Sequence, residues 1–118
     1  MPKRPISVTI IAWLYLTMGV VGFVYHLFMQ KSMHPFPYDI LWVELIFLAA
    51  ILSGVYMLRG HNWARWLALA WIAFHVVLSI FHNLPELAIH GLLCAIVAFF
   101  LFRSAASRYF RPAGQQAP

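Results

Sequence analysis

The stretch FHVVLSIFHNLPELAIHG, residues 74–91, decides the fold. Both of its ends are apolar, and its middle, Asn83-Leu84-Pro85-Glu86, carries the residue types that open a helix. Asparagine is a preferred N-cap, proline is tolerated in the first helical turn, and a glutamate three residues after the cap gives a variant of the capping box. The stretch therefore predicts two antiparallel helices that are joined by a turn of only a few residues.

The chain as a whole is as apolar as this stretch. Of its 118 residues, 64% are hydrophobic and 9% are charged, and the mean hydropathy is +0.81. Soluble domains carry about 25% charged residues, and a small protein buries only a modest fraction of its surface. Most of these side chains must therefore face lipid, and we expect a single integral membrane domain.

Four apolar runs are long enough to cross a bilayer, because a hydrocarbon core of about 30 Å needs about 20 helical residues. The predicted spans are residues 6–29, 40–58, 63–82 and 84–102. No cleavage motif follows the first run, so we expect it to be a retained helix and not a signal peptide. The predicted fold class is all-α: an integral membrane four-helix antiparallel bundle over residues 1–103, followed by a short basic tail, residues 104–118.

The charges predict the orientation. All but one of the eight lysines and arginines fall on one side of the four-pass arrangement, and the three acids lie toward the other. The positive-inside rule then places both termini in the cytoplasm. The predicted anchors at the membrane interface are Arg59, Trp63, Arg65 and Arg103. Nucleic-acid binding is not expected, because the basic residues form no patch or stripe.

Small residues in each span favour close helix packing in lipid. They are Gly19 and Gly22 in span 1, Ala50 and Gly54 in span 2, Ala64 and Ala68 in span 3, and Gly91 and Ala95 in span 4. This spacing fits a tight bundle, and it equally allows one face to be kept for a second copy or for a larger membrane complex. At the helix ends, Gly60 is predicted to be the C′ glycine of span 2 and Asn62 the N-cap of span 3.

Ionisable residues inside apolar spans are costly and mark candidate functional sites. Glu44, His75 and His90 lie at similar depth in three different spans and have the composition of a two-histidine, one-carboxylate site. They form the primary candidate, as ligands of a metal ion or of haem, or as a proton or cation relay in a small transporter. In the structural alternative, the two imidazoles donate hydrogen bonds between helices, to a carbonyl, to Ser79 or to Tyr15.

The secondary candidates have structural alternatives as well. His82 at a helix C-terminus and Glu86 at a helix N-terminus suit the helix dipole. His26 can reach interfacial water, and Cys94 can be a small packing residue. Catalysis is not expected, because Ser53 and Ser79 lack the glycines of a nucleophile elbow.

Two short stretches resemble pieces of small four-pass bacterial membrane proteins of uncharacterised function: the opening that begins at Arg4-Pro5, and Gly60-His61-Asn62-Trp63-Ala64-Arg65. The resemblance implies an inner-membrane bundle and no particular activity. In length and span number the chain also resembles the small multidrug-resistance exporters, which use a glutamate of the first helix, whereas Glu44 lies in the second span. We therefore expect a structural or accessory membrane protein, with a small oligomeric transporter or a metal- or haem-binding protein as the alternative.

Overall fold

The computed structural model describes residues 3–30 and 39–110, and the predictions for Lys31 and for residues 111–118 lie outside this part of the chain. Five helices follow one another: α1 (Ile6–Gln30), α2 (Asp39–Leu58), α3 (Asn62–Ile80), α4 (Leu84–Phe102) and α5 (Ser104–Phe110). The first four are long and apolar enough to cross a membrane. The predicted all-α four-helix bundle is confirmed, and the chain is a small multi-pass membrane protein.

Helices α1 and α2 form the closest pair in the bundle. A Cβ atom at Gly54 would lie 2.6 Å from the carbonyl oxygen of Ala12, and one at Gly19 would lie 2.7 Å from Ile51 Cγ1. Gly22 lies directly against the ring of Phe47. Such close backbone approach is a main source of helix association in lipid. The small-residue faces predicted for the first two spans therefore meet each other.

Helix α4 is packed much more loosely than the others. A Cβ atom at Gly91 would have no neighbour within 4 Å. Only 11% of the residues in its most apolar stretch are buried, against 22–28% in the other three spans. The looseness of α4 leaves space beside it inside the bundle.

Side chains tie together the end of the bundle at which most of the described arginines lie. We call this the basic end, and it carries Arg4, Arg59, Arg65 and Arg103. Arg4 donates to the carbonyl of Leu58 at 2.8 Å, and the Tyr109 hydroxyl lies 2.9 Å from the carbonyls of both Met57 and Leu58. The last carbonyls of α2, which have no partner within the helix, are satisfied in this way.

Arg65 contacts the end of α4 and the start of the tail. Its Nη1 atom donates to the carbonyl of Leu101 at 3.1 Å and to Ser107 Oγ at 3.0 Å. Its guanidinium also lies over the rings of Phe102 and Phe110, at 4.5 and 5.4 Å. The first half of the predicted basic tail is therefore a short helix, α5, that packs against the bundle with Phe110 buried.

The turn between α2 and α3 confirms one predicted helix end and corrects another. Gly60 has a φ angle of +81°, as a C′ glycine requires, and its N–H donates to the carbonyl of Met57. The N-cap of α3, however, is His61 and not Asn62. The amide of His61 still bonds back to the Tyr56 carbonyl at 3.0 Å, so His61 is the extended residue between the two helices and Asn62 is already helical.

The turn between α3 and α4 contains the predicted cap. Asn83 Oδ1 accepts a hydrogen bond from the Glu86 amide at 2.8 Å. The reciprocal half of the capping box is replaced, because the Glu86 carboxylate pairs with His82 Nδ1 at 3.3 Å. Helix α3 ends at Ile80, two residues before the predicted end of span 3, because the next amides bond to Leu78 and Ser79 in a final tight turn.

Candidate functional site

A cavity of about 610 Å³ lies inside the bundle and is lined by residues of α1, α2, α3 and α4. Leu14 and Met18 of α1 and Leu93 and Ile96 of α4 line it and are at the same time 41–62% exposed at the bundle surface. Helices α1 and α4 touch only slightly. The cavity therefore opens sideways between these two helices, toward the surface that faces lipid.

Almost the whole wall of the cavity is apolar. The lining residues with hydrogen-bonding side chains are Tyr15, Trp71, His75 and His90. Tyr15 donates its hydroxyl proton to the Ala68 carbonyl at 2.7 Å, and Trp71 donates Nε1–H to the Ile46 carbonyl at 2.7 Å. Buried tyrosine and tryptophan side chains usually find such a partner. These two bonds connect α1 with α3 and α3 with α2.

His75 and His90 lie side by side, with ring centroids 5.9 Å apart. Nδ1 of His75 lies 2.8 Å from the carbonyl of Trp71, and Nδ1 of His90 lies 2.7 Å from Ser79 Oγ. The Ser79 hydroxyl also donates to the His75 carbonyl at 2.8 Å. Of the structural alternative from the sequence, the bond between helices is made by His90 to Ser79, whereas the bond of His75 to Trp71 stays within α3.

These bonds together favour one tautomer of each neutral ring. A carbonyl oxygen can only accept, so His75 donates from Nδ1. A hydroxyl group has one proton, and that of Ser79 is given to the His75 carbonyl, so toward His90 the serine can only accept. Both neutral imidazoles are therefore protonated at Nδ1, and each keeps a lone pair on Nε2.

Glu44 does not join the two histidines. It is buried, with 9% of its surface exposed, and neither of its carboxylate oxygens has a hydrogen-bond partner. It is absent from the cavity wall and lies on α2 one turn before Phe47, whose ring contacts Gly22 and His26 on α1. Glu44 thus lies outside the cavity wall that His75 and His90 share across the α3–α4 contact.

The secondary candidates are dispersed. His26 stacks near Phe47 at 5.3 Å and keeps a buried, unpartnered Nδ1. His82 and Glu86 pair with each other at the α3–α4 turn. Cys94 is a free thiol that is partly buried against the core. Within residues 3–30 and 39–110, no three histidine, cysteine, aspartate or glutamate side chains come together as a metal site would require.

The predicted interface anchors fall into two groups. Arg59, Trp63 and Arg103 are exposed at the basic end, and their side chains also contact neighbouring aromatic rings. Arg65 points inward to Leu101 and Ser107, as described above. Its first role in the structure is thus to hold helix ends together.

Two polar members of the site were not among the candidate site residues: Tyr15, which was named only as a hydrogen-bond partner of the imidazoles, and Trp71. Tyr15 shares a helical face with Gly19 and Gly22, and this was the available signal. Trp71 shares a helical face with His75 and Ser79, at i, i+4 and i+8, and this spacing was the available signal for it. No protein-family model, curated protein or solved structure matches this chain.

Proposed function

We propose that the chain is a non-enzymatic, accessory membrane protein whose bundle holds one lipophilic molecule that enters sideways from the bilayer. The observation that carries this proposal is the cavity between the four helices, with its lateral opening between α1 and α4. Its volume of about 610 Å³ lies within the range of about 300–1,000 Å³ that is typical of ligand sites. The apolar wall with a few oriented polar groups is typical of such sites as well.

The groove on the other side of Trp71 offers a useful contrast. It has a volume of about 520 Å³ and is lined by residues of α2 and α3, including Trp42 and Phe74. Trp71 and Ile46 line both the groove and the cavity, and the Trp71 Nε1–H is already given to the Ile46 carbonyl. This groove can accommodate acyl chains, but its lining residues offer no side-chain acceptor with which to orient a ligand hydroxyl.

The test compares a tryptophan at the mouth of the cavity with one on the neighbouring residue. Leu93 lines the cavity, whereas Leu92, 64% exposed, does not. Binding of a fluorescent single-chain lipophile in lipid nanodiscs should weaken at least about tenfold in Leu93→Trp, because the larger side chain fills the opening. Leu92→Trp should bind as the wild type does. Equal binding by both variants and the wild type would refute the proposal.

Glu44 supports a second candidate function, transport of a proton or a small cation. A carboxylate that is buried without a partner costs several kcal/mol in an apolar environment, so a cation or a proton must balance its charge. Both oxygens of Glu44 are in this state. In proteoliposomes, Glu44→Gln should abolish ion-driven or proton-driven flux. Flux that is unchanged in Glu44→Gln would eliminate Glu44 as the carrier.

For the location, we propose a bacterial cytoplasmic membrane with both termini in the cytoplasm. The basic end supports this orientation through the positive-inside rule. In a Cys94→Ala background, a cysteine at Ser104 should react only with a reagent supplied from the cytoplasm, and one at the exposed Phe81 only from outside. The reverse pattern would invert the topology.

A further inference from the structure

We infer that the molecule held in the cavity is a lipophile with a hydroxyl group, such as a long-chain alcohol or phenol, which donates its hydrogen bond to Nε2 of His75 or His90. This inference rests on the proposed function, because it names the chemical class of the ligand in the same cavity. It depends on a count of which polar atoms of the wall are still free.

Every side-chain donor on the wall is already used. The Tyr15 hydroxyl and the Trp71 indole donate to carbonyls of Ala68 and Ile46. The Nδ1–H groups of His75 and His90 donate to Trp71 and Ser79. The backbone amides of the surrounding helices are used in helical hydrogen bonds. A ligand that can only accept hydrogen bonds, such as a ketone or an ether, therefore finds no donor on this wall.

Acceptors, in contrast, remain free on the wall. Each neutral imidazole keeps the lone pair of Nε2, and neither Nε2 has a hydrogen-bond partner within the described residues. Neither of these nitrogens is among the fully enclosed unpartnered atoms, so each Nε2 has accessible surface, and both residues line the cavity. The ring centroids are 5.9 Å apart, so the two imidazoles lie side by side on the wall, and a bond to either Nε2 satisfies a ligand hydroxyl.

The apolar surroundings make the selection for a ligand with a hydrogen-bond donor strong. Inside an apolar cavity no water competes for the two nitrogens, and an unmade hydrogen bond is not replaced by another. The ligand enters between α1 and α4 with its apolar chain oriented as it would be in the bilayer. Inside the cavity, its hydroxyl group then needs a hydrogen-bond partner from the protein. The free acceptors supply that partner.

The test uses 4-dodecylphenol and its methyl ether, 4-dodecylanisole, which have the same chain and ring and differ in the donor proton. Affinities for the wild-type protein are measured by titration in nanodiscs and expressed as mole fractions in the lipid. We expect the phenol to bind at least about tenfold more tightly, as one hydrogen bond in an apolar site implies. In the double variant His75→Asn/His90→Asn, the preference should fall below about twofold.

The asparagine variant is chosen to change the ligand contact alone. The amide nitrogen of asparagine takes the place of Nδ1, so the bonds to Trp71 and Ser79 are retained, and the amide oxygen takes the place of Cδ2, one bond short of the lost Nε2. His82→Asn is the matched control, since His82 is exposed at the α3–α4 turn and absent from the cavity wall. It should keep the preference for the phenol.

A second measurement needs no variant. In protein labelled with ¹⁵N-histidine, the Nε2 signals of His75 and His90 should be those of unprotonated nitrogens, and they should shift with the phenol and not with the ether. If neither compound binds to the wild type, the proposed function itself is wrong. If both bind equally tightly, the cavity is occupied as proposed and the hydroxyl inference is wrong. Stoichiometric silver(I) binding that is lost in the double variant, without any preference for the phenol, would assign the two nitrogens to a soft cation and overturn the inference.

Discussion

Gly54→Ala should destabilise the bundle by driving α1 and α2 apart. The added Cβ would lie 2.6 Å from the Ala12 carbonyl oxygen and 2.9 Å from the Leu16 amide nitrogen. Both atoms belong to the backbone of α1, so no side-chain rotation can relieve the contact. The shorter distance is about 0.8 Å below ordinary van der Waals contact, so the two helices must separate by about that much. A gap of this size along the rest of the interface forfeits a quarter to a half of each van der Waals contact energy.

The expected loss follows from overpacking, which costs about 1–3 kcal/mol. Alanine is also a better helix former than glycine by about 1 kcal/mol, which offsets part of the loss. Gly91→Ala is the matched control, because its Cβ would have no neighbour within 4 Å. The helix-propensity term is common to both variants and cancels, so their free energies of unfolding should differ by the overpacking term alone, about 1–3 kcal/mol.

Both variants can be compared by reversible unfolding in mixed micelles of a mild detergent and sodium dodecyl sulfate, followed by circular dichroism. Gly54→Ala should unfold at a lower dodecyl sulfate fraction than Gly91→Ala. If Gly54→Ala were as stable as Gly91→Ala or more stable, α1 and α2 would not be in the backbone contact that the structure shows.

Three further predictions concern single hydrogen bonds. Ser79→Ala should leave His90 without its Nδ1 acceptor, so the ¹⁵N spectrum should show His90 as a mixture of tautomers; a single unchanged tautomer would contradict the assignment. Tyr109→Phe should lower the free energy of unfolding by about 1 kcal/mol through loss of its bond to the end of α2, whereas Tyr25→Phe, which is exposed, should have little effect; equal effects would argue against the cap. Asn83→Ala should lower the free energy of unfolding by about 1 kcal/mol in the same assay, whereas Asn83→Ser should be close to wild type. If the alanine variant were as stable as the serine variant, Asn83 would not be an N-cap.

The bounds of the spans could be predicted from the sequence because they depend on local signals. The apolar runs set the lengths of the helices, and Gly60 and Asn83 ended and opened them as predicted. The predicted N-cap of α3 was wrong, because two neighbouring residues, His61 and Asn62, can each take that role. The predicted end of α3 was also wrong, because an apolar run does not show where the last helical hydrogen bond is made.

The candidate site was predictable only in part, because the sequence does not always show how a helix is rotated about its own axis. His75 and His90 flank a short turn, so they must lie on adjacent antiparallel helices at similar depth, and the structure places them together. Glu44 is on a helix that is apolar all round, and such a helix gives no periodic signal for which face it turns to each neighbour. The face of α2 that meets α1 depends on glycine contacts between distant residues, and so does the space that forms the cavity.

The most direct test of the central claim is the identity of the lipid that copurifies with the protein. Wild type and Leu93→Trp should be extracted from the same membranes in mild detergent and analysed by native mass spectrometry and by solvent extraction. The structure predicts about one hydroxyl-bearing lipophile per wild-type chain, enriched over its share in the membrane and lost in Leu93→Trp. A bound lipid mixture that matches the bulk membrane equally in both proteins would contradict the account.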